Sequence, residues 1–333
     1  MFPYFSIDPR LQELSRQAEE EIRPQFEKIE EVQRYNQQKM LAAFNRAGVS
    51  ESHFAASTGY GYGDRGRDVL DEVYAYALGA EDALVRYNFV SGTHTLTVAL
   101  FGLLRPGDKM LCVTGTPYDT IQGVIGLPGR EEPGCLKEFG IGYEELDLLP
   151  DGTPDYDAME EKITPAYRMV YIQRSRGYSL RPSFSVAEIE RMASIAKKKA
   201  PDCIVFVDNC YGEFVEKEEP TSHGADIMAG SSSRTPAAAS PLQAGTSPAA
   251  ATWWSCAPTG SPPRAPGGRS AARWATTGSC FGGLPAPHVA GEAVRPPCCR
   301  CPVPEAGLRR HPQAGGGPPR HHPGGGRWRS GKP

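Results

Sequence analysis

The last third of this sequence lacks residue types that folded domains ordinarily use. From residue 232 to the end there is no Ile, Met, Tyr, Asn or Asp, whereas the same stretch holds all four Trp and five of the nine Cys. Pro, Gly, Ala and Arg dominate it instead. Such a composition cannot bury enough apolar surface to offset the entropy of ordering the chain. We therefore expect residues 232–333 to form a disordered tail without a packed core, apart from a short helix near residues 288–294.

Acidic residues are also scarce in this tail. It carries twelve Lys and Arg against two Asp and Glu, whereas residues 1–231 carry 24 basic and 37 acidic residues. The formal net charge of −3 therefore conceals an acidic first part and a basic last part. The composition changes at Ser231, and only the residues before it are expected to fold as an enzyme.

Three further absences limit the class of protein. No apolar run approaches the roughly 18 residues that span a bilayer, and the start MFPYFSIDPR has neither the basic residues nor the apolar stretch of a signal peptide. Residues 1–231 contain only four scattered cysteines, Cys112, Cys135, Cys203 and Cys210, which is not the pattern of a disulfide scaffold. We expect a cytoplasmic protein with no membrane or nucleic-acid partner.

The first part has the pattern of an α/β domain. Residues 9–47 have a helical pattern, with Asp8 as N-cap and Pro9 at the first helical position. Short apolar segments alternate with turn-to-helix segments at 115–123 and 148–163, and those apolar segments are 83–90, 109–115, 168–175 and 203–209. This alternation predicts a mostly parallel sheet with flanking helices. We assign residues 1–74 to a helical arm that contacts another subunit, and residues 75–231 to the large domain.

The segment after the first apolar stretch is a candidate phosphate site. Ser91, Gly92 and Thr93 precede an apolar helix that ends near residue 105. The first amides of a helix lack internal partners and carry positive potential, so this turn can hold a phosphate. His94 follows and either faces the ligand or only caps the helix. A small capping turn is also an ordinary way to begin a helix, so the turn alone does not establish a phosphate site.

Asp208 gives this turn a possible counterpart. It closes the apolar segment CIVFVD, where a carboxylate either caps the following segment or meets a ligand cation. In parallel sheets, ligands bind beyond the carboxyl ends of the strands. Together with a phosphate turn at another strand end, Asp208 indicates pyridoxal phosphate, because a carboxylate at the pyridinium nitrogen keeps that ring protonated.

Four segments, taken in order, resemble the methionine gamma-lyase-like proteins, also called the aluminium resistance family. These segments are SGTHTLTVALFGLLRPGD, GTPYDT, YIQRSRGYSLRPS and VDNCYGEFVEKEEPTSHGADIMAGS, and the resemblance covers residues 5–231. It implies a fold type I enzyme that uses pyridoxal 5'-phosphate to break a carbon–sulfur bond in a sulfur-containing amino acid, as a homodimer or homotetramer. The cofactor-binding residues that it implies are Ser91, Gly92, Thr93, Tyr118, Asp208, Asn209 and Ser231.

Within this resemblance, Tyr118 would stack on the cofactor ring and Ser231 would bind the phosphate. The family would then place the lysine that carries the cofactor at position 234, where this chain has Arg234. An arginine side chain stays protonated and is a poor nucleophile, so it cannot replace that lysine. As printed, the chain is therefore expected to be inactive, with no intact catalytic residue.

A frameshift near Ser231 would explain the missing lysine. With permissible codons, SSSRTPAAASPLQAGTSPAAATWW re-reads in another frame as LIKNPGGGISPAGGYIAGRRDLV, which restores a lysine and a glycine-rich turn. The C-terminal small domain would then be scrambled or missing. The alternative is a genuine low-complexity fusion. The tail residues that resemble zinc ligands are then products of the wrong frame: Cys298, Cys299, Cys301, His311, His321 and His322.

Other candidates are less specific. Tyr60, Tyr62 and Arg67 resemble a segment that reaches the phosphate site of a neighbouring subunit, or they belong to a simple glycine-rich turn. Arg174 and Arg176 either bind a substrate carboxylate or are surface arginines after a strand. Two other functions remain open: an aminotransferase of the same fold, and a non-catalytic remnant that binds pyridoxal phosphate.

Overall fold

The structure is a computed structural model. It describes residues 7–55, 63–86, 89 and 91–231, the strand 252–256, and the single residues Pro287 and Ala290. The chain divides into two compact units, one of residues 1–24 with 297–333 and one of residues 25–296. The described part of the first unit is the beginning of a long helix, and the second unit contains the sheet.

The long N-terminal helix, α1, runs over Pro9–Arg46. The backbone amide of Arg10 donates to Asp8 Oδ1 at 2.8 Å, so the predicted N-cap and the proline at the first helical position are confirmed. Near its start, Arg16 forms ion pairs with Glu13 and Glu20, one turn away on either side. Pairs at this spacing stabilise a helix surface.

Five more helices and two short 3-10 helices follow. The helices are α2 (Arg65–Ala77), α3 (Gly92–Leu103), α4 (Asp119–Ile125), α5 (Tyr156–Lys162) and α6 (Val186–Lys199), and the 3-10 helices are Glu51–Phe54 and Pro220–His223. Four of the helices begin where a side-chain oxygen accepts an otherwise unpaired amide of the first turn. The capping residues are Asp64, Ser91, Asp155 and Ser185.

The strands form one sheet. They are β1 (Asp82–Arg86), β2 (Lys109–Cys112), β3 (Gly142–Glu145), β4 (Met169–Gln173), β5 (Ile204–Asp208), β6 (Ile227–Ser231) and β7 (Thr252–Cys256), in the order β1-β7-β6-β5-β4-β2-β3. Strands β2 to β6 pair in parallel, and β7 is antiparallel to both β6 and β1. The predicted α/β class with a mostly parallel sheet is confirmed, and the four predicted apolar segments are β1, β2, β4 and β5.

Strand β7 was not predicted. It lies within the tail from residue 232, and Thr252 pairs with Ser231 while Cys256 pairs with Ile227. Of the expected helix at 288–294, only Ala290 is described, and it is helical. The rest of residues 232–333 lies outside the described residues. The disordered tail and the domain boundaries at 74 and 231 therefore stay predictions.

The core forms on both faces of the sheet. All five residues of β4 are buried, as in a strand covered on both sides. Met169 and Tyr171 face the layer that contains α3 and α4, whereas Val170 and Ile172 face the layer that contains α5 and α6. Because both faces are covered, ligands can reach the sheet only at its ends.

Candidate active site

The candidate site lies at the carboxyl edge of the parallel strands. Gln173 ends β4 and is paired in register with Asp208, which ends β5. Parallel strands place their carboxyl ends on the same edge, so the segments that leave β2, β4, β5 and β6 meet there. This is the edge at which ligands bind in open α/β sheets.

Asp208 is only 3% exposed, and both of its carboxylate oxygens accept hydrogen bonds. The hydroxyl of Tyr171 donates to Oδ2 at 3.2 Å, and the amide of Cys210 donates to Oδ1 at 3.1 Å. Burial, followed by the charge of Asp208, raises the pKa of Tyr171, so this hydroxyl stays a donor. The Cys210 contact is a local cap, as one interpretation of Asp208 required. The same two contacts fix the direction of a buried carboxylate, which also allows the other interpretation, in which Asp208 faces a ligand cation.

Asn209 follows Asp208 and is completely buried. Its side-chain oxygen accepts from Arg174 Nη1 at 2.7 Å, and its amide nitrogen donates to Glu219 Oε2 at 3.1 Å. Its backbone amide donates to Ala229 in β6 at 2.8 Å. The side chain of Asn209 is therefore engaged within the protein, beside the carboxylate that precedes it.

The interpretation of Arg174 as a surface arginine is wrong, because the residue is only 3% exposed. Its binding of a substrate carboxylate stays a prediction. Its guanidinium is neutralised from within, by Glu216 Oε1 at 2.6 Å and by Glu219 Oε2 at 3.6 Å. Burial raises the pKa of Glu219, and the charges of Arg174 and Lys39 oppose this rise only in part. Arg176, by contrast, is exposed.

The predicted phosphate turn begins α3. Ser91 has extended backbone angles, and its hydroxyl accepts the amide of His94 at 3.1 Å. The hydroxyl of Thr93 is 2.8 Å from that of Thr120 in α4, so this contact joins the starts of the two helices. The ring of His94 meets Phe89 edge-on, with centroids 6.0 Å apart. The turn therefore caps the helix, as its structural interpretation required, and lies beside the start of α4.

Tyr118 connects α4 to the sheet. Its amide donates to Gln173 Oε1 at 2.6 Å, and its hydroxyl donates to the hydroxyl of Tyr178 at 3.0 Å. The two tyrosine rings lie 5.4 Å apart. A cleft of about 360 Å³ opens here, lined mainly by segments 114–119 and 176–181. The α3 turn is thus connected to β4 through Thr120, Tyr118 and Gln173. Strand β4 in turn pairs with β5, which ends at Asp208.

Several candidates lie partly or wholly outside the described residues. These are Tyr60, Tyr62, Arg234 and the tail cysteines and histidines, and only the backbone of Ser231, at the end of β6, is described. Arg67 is buried, and its Nε lies 3.5 Å from Asp68 Oδ1. Sequence reasoning missed Tyr171 and Glu219. A tyrosine within an apolar strand signals a buried partner for its hydroxyl, but Glu219 stands in an acidic run that resembles exposed surface.

The chain belongs to the methionine gamma-lyase family, whose sequence profile it matches over residues 11–312. This match includes most of the basic tail as well as the sheet. The chain is 46% identical over 236 residues to the uncharacterised protein YnbB of Bacillus subtilis, a match that covers 71% of this chain and 56% of the relative. The matched part therefore spans little more than half the length of that relative.

Solved structures show the same fold. One is a carbon–sulfur lyase involved in aluminium resistance from Clostridium novyi, 39% identical, with a TM-score of 0.77 over 87% of this chain and 69% of the other. A second is a candidate cystathionine beta-lyase involved in aluminium resistance from Listeria monocytogenes, 40% identical, with a TM-score of 0.77 over 85% and 72% of the two chains. The expected family and the fold type I architecture are confirmed.

In the described part of the chain no helix is long and apolar enough to span a membrane. The same residues contain no cluster of three or more His, Cys, Asp or Glu side chains arranged to hold a metal ion.

Proposed function

We propose that this chain derives from a pyridoxal phosphate-dependent carbon–sulfur lyase that acts on a sulfur-containing amino acid, in the cytoplasm and as a homodimer or homotetramer. The observation that carries the proposal is Asp208, a buried carboxylate held by two donors at the carboxyl edge of the sheet. Family membership and the carbon–sulfur lyase of Clostridium novyi support the reaction type.

The residues at this edge fit pyridoxal phosphate. A buried anion suits the protonated ring nitrogen, and Tyr171 and Cys210 fix its direction. The amides that begin α3, at Ser91, Gly92 and Thr93, would bind the phosphate, because a twelve-residue helix starts there. Tyr118 offers an aromatic face beside the cleft. When bound, the cofactor supplies an electron sink for the reacting amino acid.

The remaining predicted cofactor ligands have different roles in this proposal. Asn209 holds the segment that follows Asp208, since its side chain is hydrogen-bonded to Arg174 and Glu219. Ser231 ends β6 on the same edge and is proposed to contact the phosphate.

Arg234 decides whether the printed chain can complete the reaction. A lysine amine can attack a carbonyl carbon and later move protons, whereas a guanidinium does neither at neutral pH. We propose that the gene lost its frame near Ser231 and that the chain as printed holds pyridoxal phosphate only through non-covalent contacts. This accounts for the change of composition at that residue.

A comparison of three proteins tests the proposal: the printed chain, Arg234→Lys, and a chain whose reading frame is restored from Ser231 onward. The printed chain should bind pyridoxal phosphate reversibly and release no thiol. Arg234→Lys alone should not restore turnover, because a lysine without the glycine-rich turn has no fixed geometry. In the frame-restored chain, borohydride reduction should attach the cofactor irreversibly to the lysine at position 234.

Product analysis of the frame-restored chain separates the remaining functions. Thiol, ammonia and a keto acid from a sulfur-containing amino acid indicate a lyase. Amino-group transfer to an added keto acid without thiol indicates an aminotransferase, and cofactor binding without either product indicates a remnant. Thiol release by the printed chain would overturn both the lysine assignment and the frameshift. Sequencing of the native gene tests the frameshift directly.

A further inference from the structure

The loop that leaves β5 has an unusual backbone. It comprises residues 209–219, directly after Asp208, and is called the β5 loop below. Tyr211 has a φ of 72° and Phe214 a φ of 60°, and among the described residues these are the only non-glycine residues with positive φ. Side chains with a Cβ avoid this region, so such a conformation persists only where surrounding contacts hold it.

Arg174 makes three hydrogen bonds to this loop. Its Nη1 donates to Asn209 Oδ1 at 2.7 Å and to the carbonyl of Gly212 at 2.9 Å, and its Nη2 donates to Glu216 Oε1 at 2.6 Å. Its Nε donates to the carbonyl of Phe184 at 3.2 Å. One planar guanidinium thus joins three points of the β5 loop to the segment after β4. A lysine ammonium cannot reproduce this fork.

Gly212 shows how closely the loop fits around this guanidinium. A Cβ at position 212 would lie 2.3 Å from Asn209 Oδ1 and 2.6 Å from Arg174 Nη1. Both approaches are shorter than any ordinary contact, so a side chain here would displace the same hydrogen bonds from the opposite direction. The absence of a side chain at Gly212 is therefore part of the same arrangement.

The far half of the β5 loop has a second support. In α1, the side-chain amide of Asn36 donates to the carbonyl of Phe214 at 3.1 Å and to that of Glu216 at 2.8 Å. Lys39 donates to the carbonyl of Lys217 at 2.8 Å. Loss of the Arg174 contacts would therefore release mainly residues 209–212, the part that carries the amide bonded to Asp208.

We propose that Arg174 is a positioning residue for Asp208: it holds the β5 loop so that the amide of Cys210 stays on the Asp208 carboxylate. The part of this inference that concerns the cofactor rests on the proposed function. Arg174 itself touches neither the cleft nor the carboxylate, and it acts through Asn209 and Gly212.

The first test needs no cofactor. Hydrogen exchange at the Cys210 amide is compared in the native chain, Arg174→Lys and Gly212→Ala. Both changes should speed exchange at Cys210 about tenfold or more, because the loop opens locally without global unfolding. Two matched controls should leave it unchanged: Arg130→Lys, at an exposed arginine, and Gly102→Ala, where a Cβ meets no atom within 4 Å. Unchanged exchange in both test variants overturns the inference.

The second test measures cofactor binding by the same four variants. Arg174→Lys and Gly212→Ala should raise the Kd for pyridoxal phosphate about tenfold and shift the absorbance band of the bound cofactor, since the carboxylate beside the ring nitrogen loses its fixed direction. Faster exchange with unchanged affinity and spectrum would overturn the action on Asp208. If the native chain binds no pyridoxal phosphate, the proposed function fails, and the exchange test alone decides whether Arg174 positions the loop.

Discussion

The two loops that leave the neighbouring strands β4 and β5 differ in burial, charge and backbone. The β5 loop contributes two glutamates to the ion network around buried Arg174 and contains two non-glycine residues with positive φ. The loop after β4, residues 175–183, is exposed at its tip, where Tyr178 is 84% and Leu180 is 99% accessible. One loop is fixed from within, whereas the other faces solvent and lines the cleft.

The difference follows from the role that each loop has at the candidate site. The β5 loop supports a buried carboxylate, and a charge that must act in a low-dielectric site has to be held in one direction. The loop after β4 is anchored near its ends by Arg181, which donates to the carbonyls of Gln173 and Ser175 and stacks on Phe184, whereas its exposed tip contacts Tyr118 through Tyr178. A loop fixed at its ends and exposed at its tip can admit a ligand to the cleft without disturbing the carboxylate.

The largest expected effect on this comparison comes from Asp208→Asn. The change removes the buried charge and gives the side chain an amide donor in place of one acceptor. We expect the affinity for pyridoxal phosphate to fall about 100-fold, because a buried opposite charge is lost, and the free energy of unfolding to fall by about 1–3 kcal/mol. Absorbance titration and denaturant unfolding measure these quantities.

Asp202→Asn is the matched control, because Asp202 is exposed just before β5. It should change neither quantity beyond about 0.5 kcal/mol. Equal cofactor affinity in Asp208→Asn and Asp202→Asn would contradict the assignment of the carboxylate to the ring nitrogen.

Tyr171→Phe should have a smaller effect. The change removes the hydroxyl bonded to Asp208 Oδ2 and keeps the ring, which stacks on Phe206 with centroids 5.5 Å apart. A buried acceptor then loses one donor, which costs about 1–3 kcal/mol of unfolding free energy. Tyr178→Phe removes a hydroxyl from the exposed loop and should cost less than about 0.5 kcal/mol. Similar losses in the two variants would remove the distinction between the loops.

Sequence reasoning succeeded where the signal is local. The four apolar segments, the cap at Asp8 and the placement of Asp208 at the end of a strand all depend on neighbouring residues, and the structure contains each of them. Strand β3 was missed because its four residues are at most half-buried, and β6 because its end, MAGS, consists mainly of small residues.

The same reasoning failed where a residue's role depends on distant partners. Arg174 resembles a surface arginine because nothing near it in sequence neutralises it; Glu216 and Glu219 lie more than 40 positions away. Those glutamates in turn belong to an acidic run that resembles exposed surface. Only the fold brings the opposite charges together, so neither their burial nor their pairing could be predicted from local pattern.

The smallest effect concerns the outer end of the β5 loop. His223 lies between Glu218 Oε2, at 2.6 Å from Nε2, and Glu190 Oε2 in α6, at 3.1 Å from Nδ1. Burial alone would lower the pKa of His223, but the hydrogen bonds that its ring donates to the carboxylates of Glu218 and Glu190 outweigh this effect and raise the pKa above 6.5. The folded state therefore binds the proton more tightly than the unfolded chain does.

The raised pKa makes the contribution of His223 to the free energy of unfolding larger at low pH. The stabilising contribution of His223 is complete below about pH 6.5, the usual value for an unfolded histidine, and is lost as the pH rises through the higher folded pKa. His223→Gln should therefore destabilise the protein at pH 5.5 by less than about 1 kcal/mol, since the pair is partly exposed, and by still less at pH 8.5. Denaturant unfolding at the two pH values measures the difference, and Glu190→Gln should remove part of the same dependence. A loss that is equal at both pH values would show that His223 supports the loop by packing and not by its charge.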